Sequence, residues 1–247
     1  MLLLCLAGCG GVSEGGSDMD AGDDDGGDDN VDAGTDASAA DAGEDGGPPD
    51  ADLADAPCLT RAVFLGGSAP EEQGWTVTAS GSANIGTAGP SITTLETQTT
   101  GGTTGAQLLI SLPDAVEPGE PFIVELVMRV LAVDAHNSFD GAAVLMGSYA
   151  GLFGKGEDRA QMLYVDADAI GWTDDTQTVP AAAIDGQFHT YVLAVDAAGN
   201  ATVSRDGVEL LSRVGFTTNG TIAFGDQTND ANVESNLYIR SVSLLCP

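Results

Sequence analysis

Four Asp and Asn side chains fall within seven residues of the segment GDQTNDAN: Asp226, Asn229, Asp230 and Asn232. Carboxylate and amide oxygens at that density suit a hard cation such as calcium, which takes about six to eight oxygen ligands. The same residues also build ordinary Asx turns. Trp172, Tyr149 and Phe153 stand in polar or glycine-rich surroundings, where an aromatic face could stack on a sugar ring, although each could equally belong to a core. Asp166 and Asp168 are two apart and would share one face of a strand. With no third acid and no aromatic platform beside them they read as a solvated strand end. His189 opens a strand next to Phe188. A catalytic imidazole needs a nucleophile or an acid beside it, and no G-x-S-x-G motif supplies one, so a hydrogen-bonded structural role is expected. His136, in the polar loop DAHNSFD, is less informative. Gly66-Gly67 and Gly101-Gly102 lead into neither GKS nor a helix, so no phosphate cradle is supported.

Positioning such residues falls to the chain from 58 to 247, where short apolar runs are broken by Gly, Asn, Asp and Pro. The clearest run is FIVELVMRVL, residues 122–131. Phe122, Val124, Leu126, Met128 and Val130 fall on one face by period 2, with Glu125 and Arg129 on the other, as in a sheet with one face on a core. Further strands are expected at 75–79, 91–97, 106–112, 143–147, 161–165, 188–196, 201–205, 208–212, 221–225 and 236–245. No stretch sustains an i, i+3, i+4, i+7 pattern over ten residues, so helices should be short. Many strands at close spacing, with turn residues between them, argue for an all-β sandwich or jelly roll. The run YVLAV, apolar on both faces, predicts a central strand covered on both sides, and Trp75 is expected in the core.

Charge is divided unevenly along the 247 residues. Residues 10–57 hold 16 of the 38 acidic residues and none of the 7 basic ones, so the formal charge of −31 splits into −16 there and −15 elsewhere. Nucleic acid is an unsuitable partner, because phosphate binding needs clustered Lys and Arg. An anionic membrane surface would repel the chain, so membrane contact would have to come through a lipid. Residues 11–57 are mostly Asp, Gly, Ala and Ser, without an aromatic. Such a segment cannot bury enough surface to offset ordering entropy, and predicts a disordered, solvated tether. Asp28 to Gly34 places oxygens as a calcium loop would, but Ala33 stands where an EF-hand needs Gly and position 12 lacks Glu.

The opening MLLLCLAGCGG carries Leu6-Ala7-Gly8-Cys9, which resembles the bacterial lipobox. The resemblance implies a signal peptide at 1–8, cut just before Cys9, and lipid on the Cys9 sulfur and the new amino terminus. Two or three acyl chains hold a protein on a bilayer where one does not. A membrane span needs roughly 20 apolar residues, and this run ends before Gly10. One departure is the lack of Lys or Arg ahead of the apolar run, which the reading expects to lie upstream. Gly10, in place of the Asp of the retention signal, implies an outer-membrane or cell-surface location.

Residues 188–211 read FHTYVLAVDAAGNATVSRDGVELL: a strand, a turn at Ala198-Gly199-Asn200, a second strand and a tight turn at Asp206-Gly207. Together with Ile222-Ala223-Phe224-Gly225-Asp226 and the strand at 236–245, this resembles the laminin G and pentraxin branch of the concanavalin A-like lectin/glucanases. The motif-level likeness covers about the last sixty residues and implies a two-sheet antiparallel jelly roll over 58–247. In that family the terminal strands lie side by side. With Cys5 leaving in the signal peptide and Cys9 lipidated, a Cys58–Cys246 disulfide is implied, two buried free thiols being the alternative. Glycosidases of the family carry E-x-D-x-x-E or E-x-D-x-E on one strand, which this chain lacks; Glu125 is followed by Leu-Val-Met-Arg. The fold hosts enzymes and binding modules alike. The reading is a non-catalytic, monomeric, surface-anchored module for a glycan or an extracellular glycosylated or matrix protein. A hydrolase or lyase with unrecognised acids, and a structural envelope lipoprotein, remain the alternatives.

Overall fold

The computed structural model describes residues 60–97, 105–150 and 157–247. Cys9, the acidic segment, Cys58 and Phe153 lie outside the described residues, as do the expected boundaries at residues 8 and 57.

The described chain forms fifteen strands: β1 (Arg61–Leu65), β2 (Thr76–Ser80), β3 (Asn84–Thr87), β4 (Thr93–Glu96), β5 (Gln107–Leu112), β6 (Phe122–Val133), β7 (Val144–Met146), β8 (Met162–Val165), β9 (Ala169–Trp172), β10 (Thr178–Pro180), β11 (His189–Val195), β12 (Ala201–Arg205), β13 (Val208–Arg213), β14 (Ile222–Asp226) and β15 (Ser235–Leu245). One helical turn, α1 (Glu157–Ala160), and a 3-10 turn at Glu71–Gln73 are the helices described. The strands make two antiparallel sheets. One runs β13-β12-β11-β6-β15-β4-β3, with β1 also paired to β15; the other runs β10-β9-β8-β7-β14-β5-β2. The all-β, two-sheet antiparallel jelly roll expected from the sequence is the architecture found.

The eight-stranded sheet is built on β6 and β15, paired from Ser235↔Val133 to Leu245↔Ile123. Period-2 patterning turns Phe122, Val124, Leu126, Met128 and Val130 into the core and leaves Glu125 and Arg129 on the outer face. Complete burial of one such side chain contributes about 1.5–3 kcal/mol. The tight turn between β12 and β13 puts Asp206 at φ 52° and Gly207 at φ 80°. Two successive left-handed residues are what a type I′ hairpin requires, which explains the Asp-Gly pair.

The run YVLAV is not covered on both sides. Tyr191, Leu193 and Val195 are buried in β11, but Val192 and Ala194 are half-buried on the outer face. The doubly covered strands belong to the other sheet. There Leu108, Ile110, Leu145, Leu163, Val165 and Phe224 face the main core. Leu109, Val144, Met146, Met162, Tyr164 and Ala223 form a second apolar cluster on the opposite face. Trp75 is core as expected: it meets Phe64 and Phe224 edge-on at 5.9 and 5.2 Å between centroids, and its indole N–H donates to the Val63 carbonyl.

Candidate functional site

Asp226 closes β14 on the side of Ile222 and Phe224, and so points between the sheets; it is 1% exposed. The Thr97 hydroxyl donates to its Oδ2 and the Thr228 N–H to its Oδ1. Burial pushes its carboxyl up to about 9; the Thr97 and Thr228 hydrogen bonds oppose the rise, and the carboxylates of Glu234 and Asp140 add to it. At neutral pH it is therefore an uncharged acid whose oxygens are turned inward. Asp230 is held by its own loop. Its Oδ1 accepts from the Asn232 N–H at 3.0 Å and the Asn232 side-chain amide at 2.9 Å, and its own N–H donates to the Thr228 hydroxyl. Three of the four residues expected to ligate calcium are thus split between a buried carboxylic acid, Asp226, and a surface turn of Asp230 with Asn232, in which Asp230 also hydrogen-bonds the Asn137 side chain, and the calcium loop is corrected to that turn. Among the described residues no group of three or more His, Cys, Asp or Glu is placed to hold a metal.

Asn229, the fourth of them, belongs to something else. With Gln107 and Gln227 it lines a pocket of about 270 Å³, to which Ser80, Thr228, Asp140 and Arg159 also contribute. Sheet pairing assembles it: Ser80 ends β2 directly opposite Gln107 at the start of β5, and Asp226 of β14 is opposite Leu108. The loop leaving β14 is pinned by Gln107 Nε2 donating to the Gln227 carbonyl at 2.6 Å and by the Gln227 N–H donating to the Gly141 carbonyl. Arg159, on α1, sits 3.2 Å from the Asp140 carboxylate. Burial raises the Asp140 carboxyl above its ordinary value, and Arg159 opposes the rise. Gln227 Oε1 is buried with no hydrogen-bond partner among the described residues. A buried acceptor without a donor is costly, and asks for one. The volume lies just under the about 300–1,000 Å³ of drug-sized ligand pockets, so the space suits one small polar unit.

The aromatic candidates are not there. Trp172 is completely buried, packed on Phe216 with the Arg213 guanidinium stacked 5.1 Å from its ring centroid. Tyr149 is 9% exposed and sits in the second apolar cluster, its backbone held on both sides by the Asn219 side chain. Neither ring offers a face to a sugar, so both are corrected from ligand platform to packing.

The paired carboxylates also part company. Asp168 is exposed, but Asp166 is buried and accepts from the His136 N–H at 2.9 Å. Burial pushes its carboxyl up to about 6, against the pull of His136. The His136 ring stacks on Tyr164 at 4.0 Å and its Nε2 lies 2.9 Å from Asp175 Oδ1. Reading Asp166 as solvated missed this cluster, because a strand end leaving the sheet looks the same in sequence whether or not a loop folds back over it. The other imidazole is held as a hydrogen-bonded structural histidine would be. His189 Nδ1 is 2.6 Å from Asp206 and Nε2 is 3.0 Å from Asp185, so neither ring nitrogen is left to serve as a base.

No protein-family model matches the chain, and no curated protein matches it. Among solved structures it is similar to a carbohydrate esterase from the Shiga toxin-encoding bacteriophage phi24B, at 15% identity and a TM-score of 0.49, covering 75% of this chain and 98% of that one. An endo-1,3-beta-glucanase from Streptomyces sioyaensis gives 15% identity and a TM-score of 0.46, covering 78% of this chain and all of that one. The binding domain of Paraclostridial Mosquitocidal Protein 1 gives 11% identity and a TM-score of 0.44, covering 73% of this chain and 48% of that one. Likenesses of this size say nothing of ligand or activity.

Proposed function

We propose that the domain binds a carbohydrate in the Gln107–Gln227–Asn229 pocket without cleaving it, and that a lipid on Cys9 holds it at the outer membrane or cell surface through the acidic segment. The observation that carries the reading is the lining of the pocket. Three amide-bearing and two hydroxyl-bearing residues line it, donors and acceptors of the kind that pair with sugar hydroxyls. Glycoside hydrolysis calls for two carboxyl groups facing one bond. The lining residues include one carboxylate, Asp140, and it is tied to Arg159; this supports binding over hydrolysis.

The β1–β15 register supports the terminal disulfide. Arg61 pairs with Leu244 in antiparallel sense, so the chain just before Arg61 runs beside the chain just after Leu244. A Cys58–Cys246 bond would close the sandwich at that seam. The binding reading is tested by a glycan array probed with the exported protein. Wild type is expected to select a saccharide that Gln107→Ala and Asn229→Ala bind at least about tenfold more weakly, as loss of a buried polar contact implies. An array on which the variants match wild type contradicts it.

A further inference from the structure

The outer face of the eight-stranded sheet carries a row in which cations and aromatic rings alternate. Tyr238 on β15 is paired in register with Arg129 on β6. Phe188 comes just before His189, whose partner on β6 is Met128, so Phe188 flanks Arg129 from the other side. The Arg129 guanidinium lies 4.6 Å from the Tyr238 ring centroid and 4.9 Å from that of Phe188. Arg240 occupies the irregularity between Ile239 and Ser241 and lies 4.0 Å from the same Phe188 centroid. The order is Arg240, Phe188, Arg129, Tyr238.

These two guanidinium groups are held by rings and not by carboxylates. The chain has 38 acidic residues against 7 basic. Arg159 is paired with Asp140 and Arg213 with Asp174, yet no ion pair joins Arg129 or Arg240 to a described carboxylate. Stacking on rings uses the flat faces of a guanidinium and leaves its N–H fork, in the plane, for a bidentate acceptor. Arg129 Nε is buried with no hydrogen-bond partner among the described residues, while Arg240 is exposed and the two rings are half-exposed.

We propose that this row is a second binding surface, distinct from the amide-lined pocket, and that it takes the carboxylate of a uronate unit in an acidic polysaccharide. It rests on the carbohydrate reading above. A neutral sugar would use the rings and leave the forks unpaired. Phosphate would use the forks and leave the rings idle. An acidic sugar uses both: its carboxylate meets the forks, and its ring carbons lie against Tyr238, over whose ring Arg129 is the one cation found among the described residues, and along the edge of Phe188. The net negative charge repels a polyanion at long range, but screening over about 8 Å at physiological salt confines that repulsion and leaves the contact to local geometry.

Galacturonate oligosaccharides and their methyl esters share every ring and differ in charge, so titrating the full chain with both isolates the carboxylate. Wild type is expected to bind the acid about tenfold or more tightly than the ester, as charge-assisted bidentate bonds imply. Arg129→Gln with Arg240→Gln should erase that preference. Arg240→Lys should restore part of it, since it keeps the charge and loses the fork. If Arg129→Gln fails to fold, Arg240→Gln alone carries the test, because Arg240 is exposed. Equal binding of acid and ester, or an undiminished preference in Arg240→Gln, overturns the proposal. Neutral glycan binding lost in Asn229→Ala but kept in the arginine variants, together with no binding of uronate, would uphold the pocket and overturn this surface. Uronate binding that depends on the arginines, beside a pocket that binds nothing, would do the reverse.

Discussion

Asp226 is the residue whose surroundings depart furthest from what its type implies. An acid buried beside Thr97 and Thr228, with its carboxyl raised from 3.8 to about 9, holds its proton more tightly folded than unfolded. Its contribution is therefore complete below about pH 4 and is lost as pH rises through the interval up to about 9, at a slope of up to about 1.4 kcal/mol per pH unit. Asp226→Asn keeps the shape and cannot ionise. Its carbonyl can still accept from the Thr228 N–H, and its amide can donate to Thr97, whose hydroxyl also lies within reach of the Ser235 carbonyl. Urea unfolding at pH 5 and pH 8.5 is expected to show wild type losing stability across the range and the variant losing much less. Parallel losses would mean that Asp226 is already ionised. The residue scale is also where sequence reading was weakest. Asn229 drew attention as an oxygen donor, but its partners Ser80, Gln107, Asp140 and Arg159 lie about 70 to 150 positions earlier, and no local pattern announces them. The buried row Gln107, Gln227 and Thr228, flanking apolar strands, is the one signal that could have.

At the scale of elements, β6 was legible because its period of 2 runs unbroken from Phe122 to Leu131, and the structure extends it two residues beyond the expected end, where the alternation breaks. β1, β3, β9 and β10 were not among the expected strands. They have three to five residues, and RAVFL, NIGT, AIGW and TVP are too short for a period to declare itself. β1 pairs with β15, and β10 lies at a sheet edge, so their partners and not their sequences make them strands. The centrality of β6 predicts its cost: Leu126, completely buried and paired on both sides, should lose about 2–5 kcal/mol on replacement by Ala. Chemical denaturation reads this directly, and a loss below about 1 kcal/mol would contradict the packing described. The β1–β15 seam carries its own prediction. Unreduced peptide mapping should recover Cys58 linked to Cys246, and Cys246→Ser should lower stability by about 2–5 kcal/mol. Free alkylation of both thiols in the exported protein would count against the pairing.

For the whole molecule, the charge partition argues that anchoring and binding are separate duties. A segment with 16 carboxylates and no cation is repelled by an anionic bilayer, so in the proposed arrangement membrane attachment would fall to the lipid on Cys9 and not to charge. Labelled palmitate should enter wild type and not Cys9→Ser, which should then appear in the soluble fraction; equal labelling of both would remove the anchor from the account. The central claim, that the amide pocket receives a saccharide, is met most directly by a nuclear magnetic resonance titration with the array-selected glycan, following the side-chain amide signals of Gln107, Gln227 and Asn229. The account predicts that these three signals shift together and saturate, while the sugar is recovered intact. Shifts confined to other residues, or release of reducing ends during the titration, would contradict it.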